Sequence, residues 1–153
     1  MKKNEFSIRT YFDTGSEFVE ALEFEGPLKN TFYVSGYISL DIDGVNLSNA
    51  LHADYVDQLW SYLVTGMMSI SNGEDFKCYF PDQPIPIRFE RQGRGRVKMT
   101  IDEKSVTVNQ NELFTALGIE AKAFFEKMAT LDPQHRQDWL DLSKKVDEEF
   151  LGG

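Results

Sequence analysis

FKCYFPDQPIPIRFERQGRGRVKMTIDEKSVTVNQNEL, residues 76–113, decides the fold class. Apolar and polar residues alternate three times within it. Phe76, Cys78 and Phe80 share one parity, as do Ile85, Ile87 and Phe89, and then Val97, Met99 and Ile101. A period of two marks a strand with one buried face. Gln92-Gly93-Arg94-Gly95 and Asp102-Glu103-Lys104 break the alternation with turn formers. Pro84 and Pro86 cannot donate to a ladder, which predicts an edge position, or a bulge at the start, for the strand that carries them. A short strand over 106–108 follows. Asn109 with Glu112 three residues on is then a helix N-cap signature. From there the period changes to that of a helix, with Leu113, Leu117, Ala121, Phe124, Met128 and Leu131 as its buried stripe and Gly118 as a possible kink.

The same reading extends outward. Phe6, Ile8, Thr10 and Phe12 alternate with polar residues, so a strand opens the chain and Asp13-Thr14-Gly15-Ser16 turns it. Residues 17–25 fit a helix or a strand; the flanking strands favour a strand. After the breakers Gly26-Pro27 and Lys29-Asn30 a longer strand is expected. It points Phe32, Val34, Ile38, Leu40 and Ile42 inward, and Tyr33, Ser35, Tyr37, Ser39 and Asp41 outward. Asp43-Gly44 ends it. A helix is predicted over 53–71, with Val56, Leu59, Leu63, Met67 and Ile70 inward and Asn72-Gly73 as its stop. Asp132-Pro133 opens a third helix with Trp139, Leu142, Val146 and Phe150 as its stripe. Strand–helix–strand alternation does not recur. The expected fold is therefore α+β: an antiparallel sheet of about six to seven strands with the three helices packed on one face. Trp60 and Trp139 are expected in helix–sheet contacts.

A chain of 153 residues, 41% hydrophobic and 13% aromatic, reads as a single folded domain over 1–153. Its net charge of −9 disfavours phosphate backbones and anionic membranes as partners. Cys78 is the sole cysteine, which rules out an intrachain disulfide and zinc-ribbon spacing. Met1-Lys2-Lys3-Asn4-Glu5 is followed by no apolar leader, and no stretch reaches membrane-span length. A cytoplasmic location is expected on that ground.

Asp13-Thr14-Gly15-Ser16 matches the core signature of aspartic proteases, where two aspartates share a proton. One copy per chain would serve through a homodimer. Such enzymes are almost wholly β and need a later apolar-apolar-Gly element on a strand; the look-alike here, Ala116-Leu117-Gly118, falls in a capped helix. A hairpin turn explains the string more simply. Asp41-Ile42-Asp43-Gly44 resembles the start of a calcium loop but lacks the distant ligands. Gly93-Arg94-Gly95 precedes a strand, not a helix, and so is not a phosphate loop. His52, placed to cap the first helix, and His135, in the first turn of the third, have no partners at ligand spacing. Cys78 alternates inward with two Phe and reads as an inert thiol. No catalytic residue, metal site or cofactor is expected.

Charge is distributed unevenly. Residues 74–108 hold seven basic side chains against six acidic ones, so the negative excess lies elsewhere. It clusters at Glu17, Glu20, Glu23 and Glu25, at Asp54 and Asp57, and at Asp138, Asp141, Asp147, Glu148 and Glu149. Strand parity places Arg9, Tyr11, Tyr33, Tyr37, Lys77, Tyr79, Arg88, Arg96 and Lys98 on the face away from the core. Tyr and Arg dominate binding hot spots, although β-propensity alone also enriches Tyr on a solvated sheet face.

Gly36-Tyr37-Ile38-Ser39-Leu40, the helix with Asp57-Gln58-Leu59-Trp60, Tyr79-Phe80-Pro81-Asp82-Gln83-Pro84, the Ile-Arg-Phe-Glu strand and Phe124-Phe125 together form a familiar layout. From Gly36 to Leu131 the chain resembles small uncharacterised bacterial α+β proteins, some of which look like immunity proteins of contact-dependent toxin systems. The resemblance implies the fold and a binding role and carries over no site residue. Three functions follow as expectations. The first is a non-enzymatic immunity-type module whose acids, Asp54, Asp57, Asp138 and Asp141 among them, cover a basic protein partner. The second is a small-ligand or regulatory module using Tyr33, Tyr37, Tyr79, Arg88 and Arg96. The third is a protease-like homodimer built on Asp13.

Overall fold

The computed structural model describes residues 3–153; Met1 and Lys2, which belong to the charged N-terminus, lie outside the described residues. Two antiparallel sheets and three α-helices make up the fold. The first sheet contains β1 (Phe6–Asp13), β2 (Phe18–Glu20), β3 (Ser35–Ile42) and β4 (Val45–Ser48) in the order β2-β1-β3-β4, with the short β5 (Asp54–Tyr55) also paired to β3. The second is a meander of β6 (Phe76–Tyr79), β7 (Pro86–Gly93), β8 (Arg96–Ile101) and β9 (Lys104–Asn109). Between them runs α1 (Val56–Ser71), and α2 (Gln110–Leu131) and α3 (Arg136–Phe150) complete the chain.

Local chemistry explains the elements. At Asp43-Gly44 both residues have positive φ, 50° and 80°, as a two-residue hairpin between β3 and β4 requires. The Asp43 carboxylate accepts from the Glu5 amide at 2.7 Å and the Asn4 side chain at 2.8 Å, pinning the start of β1 beside that turn. The Asn109 side chain accepts from the Glu112 amide at 2.9 Å and caps α2.

The single sheet expected from sequence is corrected to two, and the helices do not share one face. α1 buries a broad face between the two sheets: Val56, Leu59, Trp60, Leu63, Val64, Met67 and Ile70 are all buried, and Thr65 on the opposite side is exposed. It touches β3 of the first sheet, β6 and β7 of the second, and α2. A Cβ on Gly66 would stand 2.6 Å from the Phe89 ring and 2.7 Å from that of Phe76, so the helix backbone rests directly on the second sheet. Toward the first sheet, the Trp60 indole donates to the buried Thr10 hydroxyl at 2.9 Å. α2 lies along β1, and Glu112 in its first turn accepts from the Asn4 amide at 3.1 Å just before the strand. α3 packs on α2: Trp139 stacks on Phe125 (6.1 Å between centroids) and Phe150 meets Phe114 edge-on (5.8 Å). Trp60 is thus in a helix–sheet contact, whereas Trp139 is in a helix–helix one.

Several boundaries also move. Residues 17–25 divide into β2 and a 3-10 turn, Ala21–Glu23. The strand expected from Phe32 starts at Ser35, and β4 and β5 are additional. α1 starts at Val56, because Ala50–His52 forms a 3-10 turn and β5 intervenes. Pro133–His135 is a 3-10 turn, and α3 begins at Arg136. β7 is interior, between β6 and β8, which corrects the edge expectation. Pro86 is its first residue and Pro84 precedes it, so neither removes an interior ladder bond, and the register shift falls at Arg91/Gly93 instead. α2 runs unbroken through Gly118, whose missing side chain leaves room for Phe150 and Leu151 of the α3 end.

Candidate binding surface

Two sheets divide the Tyr/Arg face read from sequence. On the first sheet Tyr11 and Tyr37 stack across the β1–β3 pair at 4.7 Å, with Phe18 edge-on to Tyr37 at 4.8 Å and Arg9 paired to Glu20 at 3.6 Å. Burial, then the neighbouring Tyr11, pushes the Tyr37 phenol above its ordinary value. On the second sheet Lys77, Tyr79, Arg88, Arg96 and Lys98 share the outer face. Lys77 stands directly opposite Arg88 in register and lies 5.3 Å from the Tyr79 ring. Tyr33 belongs to neither sheet; it lies in the loop before β3.

The expected acidic surface also changes. Asp54 is buried and accepts from the amides of Tyr55 (2.7 Å) and Asp82 (3.2 Å) and the Gln83 side chain (2.9 Å), so it holds the 81–83 loop. Asp57, 7% exposed, accepts a long bond from the Val34 amide at 3.4 Å. Burial raises its carboxyl above the usual range against the lowering effect of the Gln58 and Val34 amides. Neither can belong to an exposed electrostatic surface: each lies at the start of α1 or just before it, where β5 pairing draws the chain into the interior. Asp138 and Asp141 are exposed on α3 as expected, with Glu148 and Glu149 on the same helix.

The loop before β3 brings together a surface that sequence did not assemble. Asn30 Oδ1 accepts from the amides of Phe32 (2.8 Å) and Tyr33 (3.2 Å). That side-chain turn swings both rings outward, leaving Phe32 72% and Tyr33 56% exposed. Alternation assigns Phe32 to the core, but it does not hold through such a turn. Tyr33 leans on Tyr55 at 5.1 Å. On one side of this aromatic ridge lies an open groove of about 490 Å³ under the Asp13–Ser16 turn, with Lys29, Tyr33 and Tyr55 in its walls. On the other side a hollow of about 270 Å³ separates the ridge from α3, lined in part by Phe32, Asp57, Asp132, His135, Asp138 and Trp139. Asp132, 4% exposed, accepts from the Trp139 indole at 3.0 Å and faces His135 Nδ1 at 3.0 Å. Phe32 stands edge-on to His135 at 6.3 Å. The missed residues carried one local signal, Asn30 as a side-chain turn former two and three residues before the rings.

The remaining motifs are structural in their contacts. Asp13 Oδ1 accepts from the Gly15 amide at 2.8 Å, and the Thr14 amide donates to the Glu17 carbonyl at 2.9 Å, closing the β1–β2 hairpin. Leu117 and Gly118 lie inside α2. His52 Nδ1 accepts from the Asn49 amide at 3.2 Å and closes the 3-10 turn rather than capping α1. His135 is half-buried in the turn before α3. Burial pushes the Cys78 thiol up to about 11, so its thiolate is scarce at neutral pH. Among the described residues no group of three or more His, Cys, Asp or Glu is placed to hold a metal ion, and no helix is long and apolar enough to cross a membrane. Comparison with family models, curated proteins and solved structures finds no match to the chain.

Proposed function

We propose that the protein is a non-enzymatic binding module of immunity type, which covers a basic protein partner by steric contact and charge. The observation that carries this reading is the Phe32–Tyr33 ridge. Two adjacent, largely exposed rings are unusual on a folded surface unless they are used. Here exposed carboxylates adjoin them: Asp138 lines the hollow beside Phe32, and Asp141 follows on the same helix. An apolar anchor inside a charged rim is the anatomy of a protein-binding site. Net charge of −9 gives the long-range attraction for a cationic partner.

The small-ligand alternative has one observation in its favour. Lys77 and Arg88 are like charges directly opposite across β6 and β7, which destabilises a sheet, and neither forms an ion pair among the described residues. An anion on that face would relieve the repulsion. One experiment separates the two readings: affinity capture on the immobilised chain, then binding kinetics of the captured protein with two variant sets. Phe32→Ala with Tyr33→Ala is expected to speed dissociation by roughly tenfold or more, as loss of a hot spot does. Arg88→Ala with Arg96→Ala is expected to change little. The reverse pattern refutes the ridge as the binding site.

A further inference from the structure

We infer that the hollow between the ridge and α3 receives one arginine side chain of the partner, held by Asp57, Asp132 and Asp138 against the rings of Phe32 and Trp139. The inference rests on the binding role proposed above and names the group recognised.

Buried charge comes first. An ionised carboxylate withdrawn from water is costly unless a cation or several strong donors compensate it. Asp57 and Asp132 are more than nine-tenths buried, and both line this hollow. Neither pairs with a Lys or Arg among the described residues. Asp132 has the Trp139 N–H and the His135 ring nitrogen, an ion pair when that ring is protonated. Asp57 has the long bond from Val34 and, in the first turn of α1, the favourable Gln58 amide, and burial outweighs both. Arg136, at the first position of α3, gives its Nε to the Ala129 carbonyl at 3.2 Å instead. The chain therefore supplies two inward-facing anions and no lysine or arginine to balance them. A metal ion does not fill the role, since no three of these groups are arranged as ligands.

The walls select among cations. Aromatic faces attract a cation within about 6 Å of the ring. A planar guanidinium stacks on rings and bonds carboxylates in a fork, whereas an ammonium is a compact and strongly hydrated point charge. Rings and carboxylates on one concave surface suit the guanidinium. The size agrees: about 270 Å³ is below the roughly 300–1,000 Å³ that encloses a drug-sized ligand, and one long side chain delivered from a protein surface needs less.

The chain holds two indoles, and they make the test internal. Trp139 N–H bonds Asp132 at the hollow, and Trp60 N–H bonds Thr10 in the core. N-acetyl-arginine amide is titrated to millimolar concentration while both indole N–H resonances are followed by nitrogen–proton correlation spectroscopy. The expected result is a saturable shift of Trp139 with Trp60 unmoved. N-acetyl-lysine amide is expected to bind more weakly, and the uncharged citrulline analogue to give no shift. Asp57→Asn should abolish the arginine shift, with an unchanged Trp60 resonance proving the fold. No saturable Trp139 shift, an equal response to lysine, or full retention in Asp57→Asn overturns the inference. A captured basic protein that needs Phe32 and Tyr33 but ignores Asp57→Asn overturns the arginine site alone and leaves the binding role standing.

Discussion

Thr10 shows how one polar atom decides a core contact. Its hydroxyl accepts from the Trp60 indole in the interior, where no water replaces it. Thr10→Val keeps the shape and removes the acceptor, leaving a buried donor unsatisfied. The expected cost is about 1–3 kcal/mol, read as a lower urea midpoint with an unchanged slope. Asp57 behaves in the opposite sense. Burial raises its carboxyl in the folded state, so the fold holds that proton more tightly than the unfolded chain does. The stability from this group is present below the unfolded carboxylate pKa of about 4 and is lost as pH rises through the higher folded value. At neutral pH the ionised side chain is thus a burden to the fold. Asp57→Asn is expected to match or exceed the wild type in unfolding midpoint at pH 7 and to lose any advantage in acid. A clear loss of stability at neutral pH would contradict this, and would mean that Asp57 is held by the fold rather than kept for a partner.

At the scale of elements, α1 carries the architecture. Gly66→Ala adds a methyl against the Phe76 and Phe89 rings. Helix propensity would gain up to about 1 kcal/mol, while overpacking costs about 1–3 kcal/mol. Packing is expected to win, with a net loss in chemical denaturation; a gain would place α1 farther from the second sheet than described. The elements themselves were largely legible. The three strands after α1 alternate cleanly, and Asn109 with Glu112 marks the start of α2 where it occurs. What alternation does not encode is which strands share hydrogen bonds across a helix, so two sheets read as one. A helix held between two sheets also looks, in its strongest residues, like a narrow stripe: Val56, Leu59 and Leu63 give the stripe, and Trp60, Val64 and Gly66 on its flanks are equally enclosed. The site was less legible than the fold. The helical spacing puts Asp138 and Asp141 on an exposed face, where they lie, but Asp54 and Asp57 are inside, and Phe32 is outside because a side chain two residues earlier turns the chain. Such local bonds override a period of two over a few residues and leave no trace in hydropathy.

For the molecule as a whole, charge is segregated by architecture. The second sheet's outer face bears Lys77, Arg88, Arg96 and Lys98, with Glu90 opposite Lys98, and α3 bears Asp138, Asp141, Glu148 and Glu149, of which Asp138 lines the hollow beside the aromatic ridge. A partner steered to the ridge by this acidic helix should associate fast at low salt and slower as screening shortens the Debye length toward about 8 Å near physiological ionic strength. The most direct measurement is the association rate of the affinity-captured partner, followed against salt for the wild type and for Asp141→Lys with Glu149→Lys, both on α3 and outside the arginine hollow. Both positions are solvent-exposed, so the fold should persist. The predicted result is a slower rate at low salt, a flatter salt dependence and little change in dissociation. An association rate that ignores both salt and the two reversals would contradict a protein that acts by electrostatic cover of a basic partner.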